Sequence, residues 1–147
     1  MERSISIGCC DIQMSKKKSV STLKKKLWKL TSEYVRRSAI QGDGTVSCVT
    51  CGHKGEWRRL QAGHFIPKSL GTSIYFDLRN IHPQCYRCNI NLGSNGPEYF
   101  RFMQERYGDE VIEDLRALSR TTLKLYASDY EEMIEEMKEK LKCLDSQ

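Results

Sequence analysis

The sequence predicts an α+β protein in which a small cysteine-rich core of short strands and turns lies between helical segments. Residues 45–95 contain two C-x-x-C pairs, all three histidines and two of the three prolines. On both sides of that stretch, apolar residues recur at steps of three and four, which is typical of amphipathic helices. A chain of 147 residues is long enough for one domain with its own core.

Composition, apolar periodicity and helix-breaking residues divide the chain into four predicted segments. Residues 1–18 are polar and basic without periodicity, so we expect a disordered basic tail. Residues 19–41 predict a basic amphipathic helix that ends where Gly42 begins a loop. Residues 42–96 form the predicted zinc-binding core, and residues 97–147 form a C-terminal helical region.

Helix start and stop signals divide the C-terminal region further. Pro97 is expected in the first turn of a helix that stops at Gly108, and Asp109 is expected to cap the next one. Ser128 and Glu131 have the spacing of a capping box before the last helix. The first and last helices have narrow apolar stripes, which predict packing on each other or on the core, or alternatively a coiled-coil dimer.

Charge is distributed unevenly along the chain. Residues 1–40 carry ten Lys or Arg against three Asp or Glu, whereas residues 109–147 carry six against eleven. The basic end includes a block without acidic residues that contains Lys24, Lys25, Lys26 and Lys29. Lysine blocks bind phosphate backbones by releasing counterions, so we expect DNA contact here, with a solvated surface or a flexible basic tail as the alternative.

Several protein classes are disfavoured by the apolar pattern and by the cysteine count. No apolar run approaches the ~20 residues that a membrane span needs, and the first residues lack a signal-peptide core. We therefore expect a cytoplasmic protein that makes no membrane contact. Seven cysteines in a reducing compartment favour metal binding over disulfides, and Cys9, Cys10 and Cys143 receive no assigned role.

The two cysteine pairs predict a structural zinc site. Cys48 and Cys51 precede a glycine, and Cys85 and Cys88 follow 33 residues after the first pair. Four thiolates in a tetrahedron are the usual donor set of a closed zinc site. A glycine knuckle first, and a pair at a strand-to-helix junction second, is the treble-clef arrangement. Chance spacing of free core cysteines is the alternative.

The residues between and after the pairs add a second pattern. His64 follows Gly63, Asn80 precedes I-H-P-Q-C, and Asn89 directly follows Cys88. This order resembles the HNH, or ββα-metal, nuclease motif. Together with the segment Y-F-R-F-M-Q-E-R-Y-G, it makes residues 19–140 resemble the phage NinG family, also called Rap, of recombination endonucleases.

The resemblance implies a phage- or prophage-encoded endonuclease that hydrolyses phosphodiesters in branched DNA, such as Holliday junctions and D-loops, inside the bacterial host. It assigns His64 as general base, Asn80 as the residue that ties the two strands together, and Asn89 as ligand of a catalytic magnesium or manganese ion. Zinc would then be structural only. Whether the protein acts as a homodimer, or with a recombinase, stays open.

The chain departs from the motif at one position. Many HNH sites have Asp or His immediately before the base, where it ligates the metal, but Gly63 has no side chain. His82, two residues beyond Asn80 on an extended strand, is the first expected substitute, and Asp77 is the second. Their alternatives are a hydrogen-bonded core histidine and a turn-capping aspartate.

Five cationic side chains flank the candidate site and are expected to contact phosphates on either side of the scissile bond. They are Arg58, Arg59, Lys68, Arg79 and Arg87. Two other interpretations remain open. A non-catalytic zinc-dependent DNA-binding module explains the cysteines and lysines, and an inactive nuclease fold used as a recombination scaffold would be consistent with Gly63.

Overall fold

A computed structural model of the chain describes residues 16–147. Residues 1–15, which include most of the predicted tail together with Cys9 and Cys10, lie outside the described residues. The described helices are α1 (Val20–Arg37), α2 (Thr72–Tyr75), α3 (Gly96–Tyr107), α4 (Asp109–Ser119) and α5 (Ala127–Asp145). The strands are β1 (Val46–Ser47), β2 (Lys54–Gly55), β3 (Gln61–His64) and β4 (Ile81–Gln84).

The first and last helices pack on each other, as one of the predicted arrangements requires. Leu23 and Leu27 of α1 are buried against Tyr130, Ile134 and Met137 of α5. The steps between these residues place them on one face of each helix, so their burial is the direct consequence of the apolar periodicity. The acidic C-terminal helix therefore covers one side of the basic N-terminal helix.

Three helix boundaries differ from the predicted ones. Helix α1 ends at Arg37, before residue 41, because a turn begins after the Ser38 N–H donates to the Tyr34 carbonyl. Asp109 is the first residue of α4, with Gly108 in the cap position at φ +81°. Helix α5 starts at Ala127 rather than after Ser128.

The start of α5 differs because another acidic side chain caps it. The carboxylate of Asp129 accepts a hydrogen bond from the Tyr126 N–H over 2.7 Å, which satisfies a donor at the helix entrance. Ser128 lies inside the first turn, so the predicted S-x-x-E box is wrong in register by two residues. The element itself is where the heptad spacing places it.

Two antiparallel hairpins form the centre of the molecule. Strand β1 pairs with β2, and β3 pairs with β4 in a register that puts Gly63 opposite His82 and His64 opposite Ile81. Helix α1 covers one face of the second hairpin through Val35, which packs with Ala62 and Ile81. Within residues 16–147, no helix is long and apolar enough to cross a membrane.

A larger apolar cluster lies on the side of α3 and α4. Its buried members are Ile66, Ile74, Tyr99, Met103, Ile112 and Leu115. The Tyr99 hydroxyl reaches out of this cluster and donates a 2.8 Å hydrogen bond to the Gly63 carbonyl. The second hairpin is therefore held between α1 and the α3–α4 pair, which leaves the end of β3 at a cleft.

Candidate functional site

The four predicted cysteines come together in one cluster. The Sγ atoms of Cys48, Cys51, Cys85 and Cys88 all lie within 4.8 Å of one another. The first pair is in the loop after β1, where Gly52 adopts φ +77° and its N–H donates to the Cys48 carbonyl over 2.8 Å. Glycine accommodates this left-handed turn without strain. The second pair follows β4 and enters a π-helical turn at Arg87–Asn91.

The donor set of the cluster fits a zinc ion. Four sulfur donors, with no Asp or Glu joining them among residues 16–147, match a closed tetrahedral site. Polar groups support the sulfur atoms, because the Thr50 hydroxyl lies 3.2 Å from Cys48 Sγ and Asn95 Nδ2 donates to Cys88 Sγ over 3.6 Å. Such partners orient metal ligands and tune their charge. Cys143 is exposed on α5 and is not among these four.

His64 lies at the end of β3 with only 8% of its surface exposed. Its Nε2 lies 2.9 Å from the Tyr75 carbonyl, and because a carbonyl only accepts, Nε2 must carry the proton. Nδ1 is then the basic nitrogen. Burial lowers the pKa of His64 below its ordinary value, and the charge of Lys68 lowers it further while the Tyr75 hydrogen bond opposes the shift. The imidazole is therefore neutral at neutral pH.

Asn80 is fully buried and joins backbone segments on both sides of the site. Its Oδ1 accepts from the Ile66 N–H over 2.8 Å, and its Nδ2 donates to the carbonyls of Ile66 and Ile74. Because all three contacts are with backbone groups, this side chain fixes the loop that follows His64. It does not line the cleft.

Asn89 lies in the π-helical turn and faces the strand that carries Gly63. Its Nδ2 donates to Gln61 Oε1 over 2.7 Å. Its Oδ1 lies 3.0 Å from the position that a Cβ on Gly63 would occupy. Gly63 and Asn89 therefore meet at the place where the resemblance expects two metal ligands, and one of those ligands is missing from position 63.

His82 does not supply the missing ligand, which corrects the first expected substitution. Although His82 pairs with Gly63, its ring turns toward α3, where Nδ1 lies 3.0 Å from the Tyr99 hydroxyl and Nε2 lies 2.7 Å from the Tyr107 hydroxyl. Burial lowers its pKa to about 4, with the charge of Arg106 acting in the same direction. Both nitrogens are engaged, so His82 is a hydrogen-bonded core histidine.

The direction of these hydrogen bonds follows from the chemistry of the groups. The Tyr99 O–H donates to the Gly63 carbonyl, so it accepts from His82 Nδ1–H. His82 Nε2 then accepts from the Tyr107 O–H. The network runs from α3 to the backbone of Gly63 and holds that strand in position.

Asp77 and Arg79 are paired with each other, which removes both from the site. The Asp77 carboxylate accepts from the Arg79 N–H over 3.0 Å and from its guanidinium over 2.7 Å, which is the turn-capping alternative. Arg79 Nη1 also lies 3.8 Å from Asp114 Oδ2. The structure therefore supports neither the expected metal ligation by Asp77 nor the expected phosphate contact by Arg79.

A cleft of about 720 Å³ opens beside His64 and Asn89. Its cationic lining consists of Arg36, Arg58 and Lys68, and among the described residues no Asp or Glu lines it. Arg58 and Lys68 were expected from the sequence. Arg59 and Arg87 instead flank a second depression beside Cys51 and Cys85.

Three cleft residues, Trp28, Ser32 and Arg36, come from α1, and the sequence prediction assigns none of them to the site. Arg36 lines the cleft, and the Trp28 ring stacks on the His64 ring with centroids 5.0 Å apart and planes 23° apart. Both are separated from His64 by nearly thirty residues or more along the chain. Only the packing of α1 on the second hairpin brings them there, and no local sequence signal shows it.

The predicted DNA-binding lysines of α1 divide between two sides of the helix. Lys25 and Lys29 precede Arg36 at helical spacing, so they extend the cationic row of the cleft along the same face.

The other two lysines of the block lie on different sides of α1. The Lys24 Nζ lies over the Tyr75 ring, 4.5 Å from its centroid. Lys26 faces α5, where the pKa of Glu135 is lowered mainly by its hydrogen bond with Lys138 and to a smaller extent by the charge of Lys26. Lys26 is therefore the least suited of the four to contact DNA.

These features define a class of small α+β protein that has a basic cleft and a cluster of four cysteines that could hold a metal ion. The family model described as Bacteriophage Lambda NinG protein matches residues 10–147. Because the match covers most of the chain, the protein belongs to the NinG family. The resemblance to the NinG family noted in the sequence is thereby confirmed.

Curated relatives agree with this membership. Protein ninG of Salmonella phage P22 is 29% identical over 105 residues, which cover 66% of this chain and 50% of the relative. Protein ninG of Escherichia phage 933W is 30% identical over 77 residues, covering 51% of this chain and 37% of the relative. The chain therefore spans half or less of the relatives it matches. No solved structure matches the chain.

Proposed function

We propose that the protein is a metal-dependent DNA endonuclease of the HNH type that cleaves branched DNA. The observation that carries the proposal is the meeting of a held, neutral His64 and the Asn89 amide at one basic cleft. A module that only bound DNA would need neither a buried imidazole with a fixed proton nor an amide oxygen facing the adjacent strand.

His64 has the properties of a general base. With Nε2–H donated to the Tyr75 carbonyl, Nδ1 is free to take a proton from a water molecule in the cleft. The oxygen of that water bonds to phosphorus, the ester bond to the leaving sugar oxygen breaks, and the leaving oxygen takes a proton from solvent. The lowered pKa keeps His64 in its basic form at neutral pH.

The Asn89 carbonyl oxygen suits a magnesium or manganese ion. It is a hard donor, and it lies 3.0 Å from the position that a Cβ on Gly63 would occupy, where the ordinary ligand of the motif would begin. A bound ion would neutralise the charge that develops on the phosphate during hydrolysis. The cysteine cluster has soft donors, so it would bind a structural zinc ion and not the catalytic ion.

The cationic lining supports phosphate binding at the proposed cleavage site. Arg36, Arg58 and Lys68 line the same cleft as His64, so phosphates bound by them would lie beside the proposed base. Preference for branched DNA, action in the cytoplasm of the bacterial host, and assembly as a homodimer or with a recombinase are parts of the proposal that come from the family resemblance.

Cleavage of a synthetic four-way junction tests the proposal. The zinc-loaded protein should cut the junction in the presence of Mg²⁺ or Mn²⁺, and should cut a linear duplex of the same arm sequence more slowly. Addition of EDTA should stop the reaction at once. Tight junction binding without any strand scission in either metal would instead favour the non-catalytic DNA-binding module or the inactive recombination scaffold.

A further inference from the structure

Gln84 has a buried amide oxygen without a hydrogen-bond partner. The residue is fully buried, and Oε1 is unpaired among residues 16–147. The orientation of the amide is fixed, because Nε2 donates to the Ser94 carbonyl over 2.8 Å and a carbonyl can only accept. An unpaired buried carbonyl destabilises a fold, so such groups call for an explanation.

The unpaired oxygen points at Gly63. A Cβ placed on Gly63 would lie 2.0 Å from Gln84 Oε1 and 2.8 Å from its Cδ. The same Cβ position is 3.0 Å from Asn89 Oδ1. The backbone of Gly63 has no left-handed φ, so glycine is required here for space and not for conformation. The Gln84 carbonyl thus occupies the volume where the ordinary ligand of this motif would begin.

We propose that Gln84 Oε1 is the metal ligand that replaces the one missing at Gly63, and that it acts together with Asn89 Oδ1 on a magnesium or manganese ion. Amide oxygens are hard donors suited to these ions. A bound cation would also give the orphaned oxygen its partner. This assignment rests on the proposed nuclease function and names a ligand of the same site.

The surroundings of Gln84 hold it as a ligand should be held. Its Nε2 also lies 3.1 Å from the Thr50 hydroxyl, which in turn lies 3.2 Å from Cys48 Sγ. Ser94, whose carbonyl fixes the other side of the amide, adopts a left-handed φ of +73°. Strained backbone of this kind persists where the surroundings over-determine it. The amide is therefore held on one side by the Ser94 carbonyl and linked on the other to the cysteine cluster through Thr50.

Manganese titration of the zinc-loaded wild-type protein, followed by NMR of side-chain amides, tests the assignment without a mutation. Mn²⁺ at a small fraction of the protein concentration should broaden the Gln84 and Asn89 amide signals first and together. The exposed Gln104 amide on α3 should stay sharp. Gln84 and Asn89 signals that both persist while amide signals elsewhere broaden would overturn the proposal.

Affinity measurements provide the second test, with Mn²⁺ binding read by electron paramagnetic resonance. Gln84→Met, which keeps the volume but removes the oxygen, should weaken Mn²⁺ binding by about tenfold or more, because the ligand count sets affinity. Gln104→Met is the matched control and should change nothing. Equal binding by Gln84→Met and wild type, with zinc content retained, would contradict the assignment.

A paired substitution uses the steric relation between the two positions. Gly63→Asp alone should destabilise the fold, because its Cβ overlaps the Gln84 amide, whereas Gly63→Asp with Gln84→Ala should fold and bind Mn²⁺ at least as tightly as wild type. Failure of the double variant to bind Mn²⁺ would count against a shared ligand position. Junction cleavage tests the nuclease function independently of the ligand assignment. Wild-type protein that binds Mn²⁺ through Gln84 but does not cleave the junction would refute only the nuclease function.

Discussion

Trp28 of α1 lies flat against the imidazole of His64, with ring centroids 5.0 Å apart and planes 23° apart. The imidazole is also held by the hydrogen bond that Nε2 donates to the Tyr75 carbonyl. The helix that carries the basic block thus also fixes the plane of the proposed base. DNA binding and catalysis would then depend on the same docked helix.

Replacing Trp28 should impair catalysis more than binding. We expect Trp28→Ala to lower single-turnover junction cleavage by roughly 10- to 100-fold, because a small misplacement of a reacting group has effects of this size. Trp28→Phe should recover most of the rate, since a phenyl ring still stacks. Junction affinity and zinc content should remain near wild type. A rate loss that matches a loss of affinity would contradict a positioning role.

Neutralising lysines on α1 should weaken DNA binding, whereas neutralising the same number of lysines on α5 should not. Changing Lys24, Lys25 and Lys29 to Gln should flatten the dependence of log Kd on log salt by up to about 0.9 for each lost phosphate contact. The control changes Lys138, Lys140 and Lys142 on α5, which removes the same net charge. Fluorescence anisotropy with duplex and junction DNA measures both slopes. Equal slopes in the two triple variants would place the DNA footprint elsewhere.

Loss of one cluster cysteine should remove zinc and unfold the core. Cys51→Ser should purify without its zinc equivalent and melt at a much lower temperature, because metal binding energy is part of folding energy. Cys143→Ser replaces the exposed thiol of α5 and should behave as wild type. Elemental analysis and thermal denaturation measure the two effects. A zinc-free Cys51→Ser protein with an unchanged melting temperature would contradict a structural zinc site.

Acid should destabilise the protein through His82. Its pKa is about 4 when folded and near 6.5 in an unfolded chain, so the unfolded state binds more protons between those values. The contribution is fully present above pH 6.5 and falls away as the pH drops toward 4, amounting to about 3 kcal/mol when complete. Urea denaturation across this range should show a shallower loss in His82→Gln. The same pH slope in both proteins would mean that His82 is charged when folded.

The features that the sequence predicts best are those with a local signal. The cysteine spacing predicts the four-sulfur cluster, because a knuckle fixes both thiols of a pair within four residues. Apolar periodicity predicts that α1 and α5 each have one buried face, and packing on each other is one of the arrangements that it favours. The position of the α5 cap is predicted wrongly, because the Asp129 carboxylate caps the helix where Ser128 was expected to do so. Local patterns of this kind need no knowledge of the tertiary arrangement.

The features that the sequence does not reveal depend on tertiary contacts. His82 follows Asn80 by two residues, but Asn80 lies in a turn and the His82 ring is captured by two tyrosines of α3. Arg79 is neutralised by Asp77, and Trp28 reaches His64 only because α1 docks on the hairpin. Which charges remain free, and which side chains converge, is decided by packing between distant segments.

The most direct test of the nuclease assignment compares wild type with His64→Ala on a labelled four-way junction in Mg²⁺ and in Mn²⁺. We expect wild type to cleave the junction and His64→Ala to cleave it at least about 100-fold more slowly, because a general base accelerates such a reaction by about that much. Junction affinity and zinc content should be unchanged. Cleavage by His64→Ala at the wild-type rate would contradict the account.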